Sequence, residues 1–470
     1  MRIKIFGLVV IFIALTTTGF GCKWVDKEVQ EKMKPITLKY WRVFDGPEAF
    51  DQIIENYKAL HPFVKIEYRK FRYNEYEKEL IDAFAEDRAP DIFSIHNTWI
   101  RKYQTKISPL PKETSMVYPV VKGSIKKEIV PELRTTKSLT IKELKDTFAD
   151  AVSGDVVLKS KDAKTGAVSE TIYGLPLSVD TLALYYNRDL FDNAGIVKPP
   201  SFWNAEFQQH VKKLTKQDRN GLIVQSGVAL GGSGNIERYS DILSVLMMQN
   251  GSEMVDGEKV VFHLIPQAYA LQRKNPGLEA LRFYTDFSNP EKEVYSWNSK
   301  MDNSLELFIQ GRLAMFFGYA YHLPTINGKT EKLNFSVTSL PQVENSQKNI
   351  NFANYWVETV SFKSKNKDAA WDFIQFATKA EQVKTYLKKT QKPTALKELV
   401  PEQSEDEDIG VFAEQVLTAK SWYKGYDPLI AEQAIGEMIE ASASGTMAME
   451  KLIEIGAKKV EQTNRKQYYE

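Results

Sequence analysis

Between residues 36 and 95 the hydrophobic period switches from two to 3.6 and back, twice, and that alternation leaves few folds open. Ile36, Leu38 and Tyr40 alternate with Thr37 and Lys39, as on a half-buried strand ending at Trp41 and Arg42. After the turn Asp45-Gly46-Pro47, the residues Phe50, Ile53, Ile54 and Tyr57 share one face of a helix that His61-Pro62 stops. Val64, Ile66 and Tyr68 make a second alternating strand. Asn74, with Glu77 three residues on, reads as a capping box opening a helix whose buried face is Tyr76, Leu80 and Phe84. Residues 91–95 make a third strand. Strands joined by helices in this order require a parallel sheet with right-handed crossovers, so the class is α/β.

A single such unit cannot occupy 470 residues, and the length implies two or more domains. Residues 173–207 are where the chain would change domain. Thr181 to Tyr186 is an apolar, aromatic strand; Ser178 and Asp180 stand on its approach, with Gly174 and Pro176 punctuating the segment. A short helix over 187–195 ends at Gly195, and Pro199-Pro200 makes a stiff stop. A domain crossover has this pattern, and so has an ordinary strand–helix unit within one domain.

Further on, 221–230 is strand-like and Gly231-Gly232-Ser233-Gly234-Asn235 is a flexible loop. It is no Walker loop, because Asn235-Ile236 stands where lysine and a hydroxyl residue belong. Helices are expected over 242–250, 277–287 and 303–309, a buried strand over 313–317 and a long strand over 351–362. Asn366 is placed to cap the next helix, and from Val411 onward the pattern is helical, stopping at Gly445. Residues 112–145 are lysine-rich, fit neither period well, and read as a surface insertion.

At the N-terminus, Arg2 and Lys4 precede an apolar run from Ile5 to Leu15 and a small-residue exit at Gly21-Cys22, the layout of a secretory signal. Cys22 is the only cysteine, so no internal disulfide or CxxC pair can form. Its place resembles the lipobox of bacterial lipoproteins, with Gly19 departing from the usual leucine. A plain cleaved signal and an uncleaved anchor are the other readings. A formal net charge of +1 gives no reason to expect nucleic acid.

The run Y-G-L-P at 173–176, the Y-N and D-L-F that follow it, the proline pair and Trp203 resemble the first hinge of the extracellular solute-binding proteins of ABC importers that bind maltose and other sugars. Pro90-Asp91-Ile92-Phe93 resembles that family's third strand. The resemblance covers about 36–457, apart from the insertion. It implies a type II periplasmic-binding-protein-like fold: two α/β lobes, each a mainly parallel sheet flanked by helices, joined by hinge crossovers. It places a signal at 1–21, a tether at 22–35 after a lipidated Cys22, an N-lobe at 36–182 plus 361–400, and a C-lobe at 185–356 plus 405–470. It also implies a monomeric extracytoplasmic receptor, with an ABC permease as partner and without cofactor, metal or catalytic activity.

Ligands of open α/β sheets lie beyond the carboxyl ends of the strands. That rule selects Trp41, Arg42 and Asp45, then His96, Asn97 and Trp99, and on the other lobe Tyr319 and Tyr321. The crossovers add Asp180, Tyr355 and Trp356, and the glycine-rich loop adds Asn235. Aromatic planes cover the apolar faces of a sugar and planar polar groups satisfy its hydroxyls, so the set suits a carbohydrate. Each tryptophan would serve equally as lobe packing, and Asp180 as a hinge brace. A polyamine, a glycerol-phosphate ester or a peptide would keep the same fold. A surface glycosidase needs two carboxylates flanking one bond, which sequence cannot locate. The five histidines form no HExxH pair, and no G-x-S-x-G elbow occurs.

Overall fold

The computed structural model describes residues 27–124, 127–161, 166–346, 348–445 and 447–465. The signal segment and Cys22 lie outside them. Among the described residues no helix is long and apolar enough to cross a membrane.

The opening strands form as expected: Ile36–Val43 lies parallel to Val64–Phe71 and to Ile92–His96. Two further strands complete a five-stranded sheet, Trp356–Ser361 running antiparallel to Ile92–His96 and Ile107–Ser108 closing the edge. Helix Asp51–Leu60 buries Ile53 and Tyr57, and helix Tyr73–Ala85 buries Tyr76, Leu80 and Phe84. Each side chain of that size contributes roughly 1.5–3 kcal/mol by leaving water. The expected cap Asn74–Glu77 lies inside the second helix. The start falls earlier, where the Arg72 backbone N–H donates to Glu75 at 3.3 Å.

A second core surrounds Ala183–Asn187, flanked on both sides by Met315–Gly318 and Phe335–Thr338. Both pairings are antiparallel, unlike the mainly parallel sheet expected there. Parallel contacts survive as the isolated bridges Phe202–Gln342 and Ser226–Leu313. Helix Tyr239–Gln249 is buried almost all round, packed on helices Pro276–Asp286 and Pro428–Ser444. Of the strand-like stretch, Ile223–Gln225 pairs with Lys216–Gln217 and Ser226 makes the bridge to Leu313. Beyond it Gly227 packs backbone on helix, and a Cβ there would stand 2.4 Å from the Val211 carbonyl. The glycine-rich loop is pinned: Ser233 donates to Glu440 through both N–H and hydroxyl, at 2.7 and 2.8 Å.

The chain passes between cores side by side. Val179 packs in the first and Leu182 in the second; Phe352 packs in the second and Ala353 in the first; Val416 and Ala419 return to the first before Trp422. The passages are hydrogen-bonded together, Asn351–Asn354 lying between Asp180–Thr181 and Ala419–Lys420. The single long strand expected over 351–362 is thus two strands in two sheets, broken at Tyr355. Trp356 belongs to the first sheet.

The lysine-rich stretch is regular after all. Glu113–Lys122 and Glu128–Lys137 pair antiparallel as a two-stranded ribbon with Pro119 opposite Pro131, and Ser138 N–H donates to Lys112 at the base. Thr114, Met116 and Val117 are buried at that end, while Val121 and Ile129 are exposed at the other. Asn366 occupies the position before helix Lys367–Ala377 without a side-chain cap.

Candidate functional site

A cavity of about 690 Å³ opens between the two cores at the three passages. On the first core, the wall is built where strands end. The register sets Trp356 beside His96, so its indole stands at the carboxyl end of the parallel strands. The indole meets Trp99 at 5.6 Å, His96 at 5.8 Å, Phe44 at 5.6 Å and Tyr73 at 6.2 Å, all edge to face. Each such pair adds about 0.5–1.5 kcal/mol beyond burial. Phe44 and Tyr73 stack on each other at 5.7 Å and 19°, and both remain half exposed. His96 Nδ1 lies 2.7 Å from the Thr98 hydroxyl and Nε2 lies 3.1 Å from the Asn354 side-chain oxygen. Burial pushes its pKa down to about 4, so the ring is neutral at pH 7, and the network assigns the proton to Nε2.

Beneath this wall lies a charge cluster. The Arg42 guanidinium packs against Phe50 and Tyr386 and stands 3.1 Å from Asp45 and 3.4 Å from Glu358. Asp45 also meets Lys392 at 2.6 Å and accepts from the Tyr386 hydroxyl at 2.8 Å. Tyr40 donates to Glu358 at 2.7 Å. Burial works to raise the Asp45 pKa, but Arg42 and Lys392 overcome it and hold the carboxyl below its usual value. At Glu358 burial prevails and the pKa is raised.

Asn97 and Tyr355 line the cavity but spend polar atoms on Asp155, at 3.0 and 2.6 Å, where Ser421 also donates. Asp180 lines it too. Its carboxylate accepts from the backbone N–H of Thr181, Ala320 and Tyr321 at 2.8, 3.0 and 3.4 Å, tying the first passage to the start of helix His322–Lys329. Desolvation nonetheless lifts its pKa to about 7. The native state therefore holds a proton between about pH 4 and 7 that the unfolded chain has released, so this group's contribution to stability falls as pH rises through that window. Asp180→Asn is expected to flatten the slope of melting temperature against pH there; an unchanged slope would place the titration elsewhere.

On the opposite wall, Arg238 donates to Asp241 at 2.8 Å and stands 3.9 Å from Glu432. Tyr321, 44% exposed, stacks on Tyr319 at 5.5 Å. Trp422 closes the inner end.

Nine of the residues expected at the site stand in this wall: Arg42, Asp45, His96, Asn97, Trp99, Asp180, Tyr321, Tyr355 and Trp356. Trp41, Tyr319 and Asn235 stand away from it. Trp41 points to the face of its strand opposite Arg42 and packs on Phe71 at 4.6 Å. Tyr319 is fully buried, its hydroxyl holding Asp241 at 2.7 Å. Asn235 is consumed by Trp297, Asn298 and Met301. Sequence reasoning passed over Phe44, Tyr73, Arg238, Asp241, Lys392 and Glu432, and reads Trp422 as core or groove packing. Among the described residues six non-glycines have left-handed backbone, and Phe44 (φ +66°), Arg238 (φ +56°) and Gln391 (φ +51°) all line this cavity. Strain of that kind gathers where function holds it, which marks the cavity independently of any resemblance.

The family described as bacterial extracellular solute-binding protein matches residues 44–384. The chain belongs to this family. The family is one of receptors, not enzymes. This solute-binding protein is 26% identical over 243 residues to a binding protein of Brucella abortus, a match covering 50% of this chain and 51% of that one. It thus spans about half the length of the curated relatives it first matches. It is 24% identical over 401 residues to the sn-glycerol-3-phosphate-binding periplasmic protein UgpB of Salmonella paratyphi A, covering 80% and 78%. Among solved structures it superposes on the cyclic alpha-maltosyl-1,6-maltose binding protein from Arthrobacter globiformis with TM-score 0.65, 17% identity, and coverage of 92% and 99%. Its fold is the type II periplasmic-binding-protein architecture.

Proposed function

We propose that this solute-binding protein is the extracytoplasmic receptor of an ABC importer and captures a neutral carbohydrate between two lobes. The lobes are the two cores, and the hydrogen-bonded passages are the hinge. A ligand touching both walls binds the closed arrangement better and shifts the population toward it. The permease then reads the closed surfaces. Cys22, lipidated, holds the receptor at the membrane.

The observation that carries the ligand class is the pairing of charge in the wall. Arg42 and Lys392 face Asp45 and Glu358, and Arg238 faces Asp241 and Glu432. Every cation named has a carboxylate partner, while half-exposed rings remain on both sides. Such a surface offers stacking and directional hydrogen bonds without net attraction for an ion. The likeness to UgpB favours a second reading, a glycerol-phosphate ester, and Arg42 with Lys392 are the cations it would use. Binding it would require a phosphate to displace Asp45.

Calorimetric titration of the purified protein with maltose, maltotetraose, glycerol 3-phosphate and spermidine separates the readings. A saccharide is expected to bind and to raise the melting temperature. Binding of glycerol 3-phosphate alone would transfer the assignment to the ester, and binding of spermidine alone would overturn both.

A further inference from the structure

We infer that Phe44 and Tyr73 form an outer subsite for an additional sugar ring, so that the ligand is an oligosaccharide and this pair measures its length. The inference rests on the carbohydrate reading above.

The pair is built at a cost the fold does not need. Phe44 follows the last residue of strand Ile36–Val43 and adopts φ +66°, a conformation that crowds a bulky L-residue. A chain turning at a strand end ordinarily places glycine or asparagine there. Phenylalanine in that conformation puts a 51% exposed ring on the cavity wall, where burial of its apolar surface gives it little return. Tyr73, 52% exposed, lies nearly parallel to it at 5.7 Å. Both rings meet Trp356 edge to face, so the pair extends the aromatic surface of the indole along the wall.

What faces the pair is polar. Arg238 and Glu432, from the second core, lie close enough to Tyr73 to act on its hydroxyl, Arg238 favouring ionisation and Glu432 opposing it, within the upward shift that burial causes. Arg238 is itself held at φ +56°. An aromatic platform on one wall and a guanidinium–carboxylate pair on the other are complementary to one pyranose ring. Its C–H face lies on the rings and its hydroxyls meet groups that both donate and accept. Trp356 already serves a ring further in, so this outer position adds a unit to a chain.

Strain makes the test specific. Phe44→Gly removes the ring and relieves the backbone, whereas Phe44→Ala removes the ring and keeps the left-handed turn. Affinities for glucose, maltose and maltotetraose, with galacto- and manno-oligosaccharides in parallel, are compared in wild type, both Phe44 variants and Tyr73→Ala. Wild type is expected to bind a tetrasaccharide at least tenfold more tightly than its monosaccharide. Each variant should lose most of that gain, and only Phe44→Gly should melt higher than wild type. A gain with length that survives in the variants, or equal affinities in wild type, would overturn the outer subsite while leaving the carbohydrate reading intact. Failure of every saccharide to bind would remove both.

Discussion

Trp356→Ala is expected to weaken binding of the proposed saccharide by about 2–4 kcal/mol, or roughly 30- to 1,000-fold, the largest loss expected from any single change in the wall. The indole is the common neighbour of Phe44, Tyr73, His96 and Trp99. Its removal takes away the platform and lets the rings around it re-orient. Because the side chain is not fully enclosed, folding should suffer less, by about 1–3 kcal/mol, below the range for emptying a fully buried aromatic site. Titration calorimetry and urea denaturation of the same sample separate the two effects. Trp356→Phe keeps a plane in place and should recover most of the stability but only part of the affinity. If Trp356→Ala binds sugar like wild type, the indole is packing and the platform lies elsewhere.

Arg42→Met is expected to cost about 3–5 kcal/mol of stability, because it strips a buried carboxylate pair of its shared counter-ion. Asp45 retains Lys392, but Glu358 keeps only the Tyr40 hydroxyl and has its pKa raised by burial already. The double variant Arg42→Met, Glu358→Gln removes both the cation and the charge it served. It should be more stable than the single variant, recovering at least half of the loss in urea denaturation at pH 7. If the double variant is as unstable as the single one, the loss comes from the packing of the guanidinium against Phe50 and Tyr386, and not from charge.

The contrast between Trp41 and Arg42 shows how far sequence reached. Alternation along Ile36–Val43 correctly made a strand. The same alternation sends adjacent residues to opposite faces, so a rule that selects strand ends could not keep both in one wall. Helix faces were legible because Tyr76, Leu80 and Phe84 repeat at the helical period and are buried together. The 187–195 segment was legible through its closing Gly195, at φ +61°; the start is held by Asn187, which accepts from Leu190 N–H. Phe44 and Arg238 were not, because no local pattern announces a left-handed phenylalanine or arginine; only the packing around them fixes it. The break at Tyr355 escaped for the opposite reason. The run 351–362 is uniformly strand-like, and its division between two sheets is decided by partners from distant parts of the chain: Asp180–Thr181 for one half, Ile92–His96 for the other. Regularity in the 113–137 ribbon was hidden because its second strand and its tip are solvated, and a strand wet on both faces shows no alternation.

The two prolines of that ribbon have a consequence for life among many copies of the same molecule. Counting from the Ser138–Lys112 bond, positions 119 and 131 fall at a non-bonded step of the ladder, where an amide would point outward to either side. Both amides are absent, so a foreign strand laid along either flank meets a gap in its row of donors midway. The ribbon's long margins, with Val121 and Ile129 bare near the tip, are thereby poor templates for intermolecular zippering, and the protein can carry this projection at high concentration without seeding aggregates.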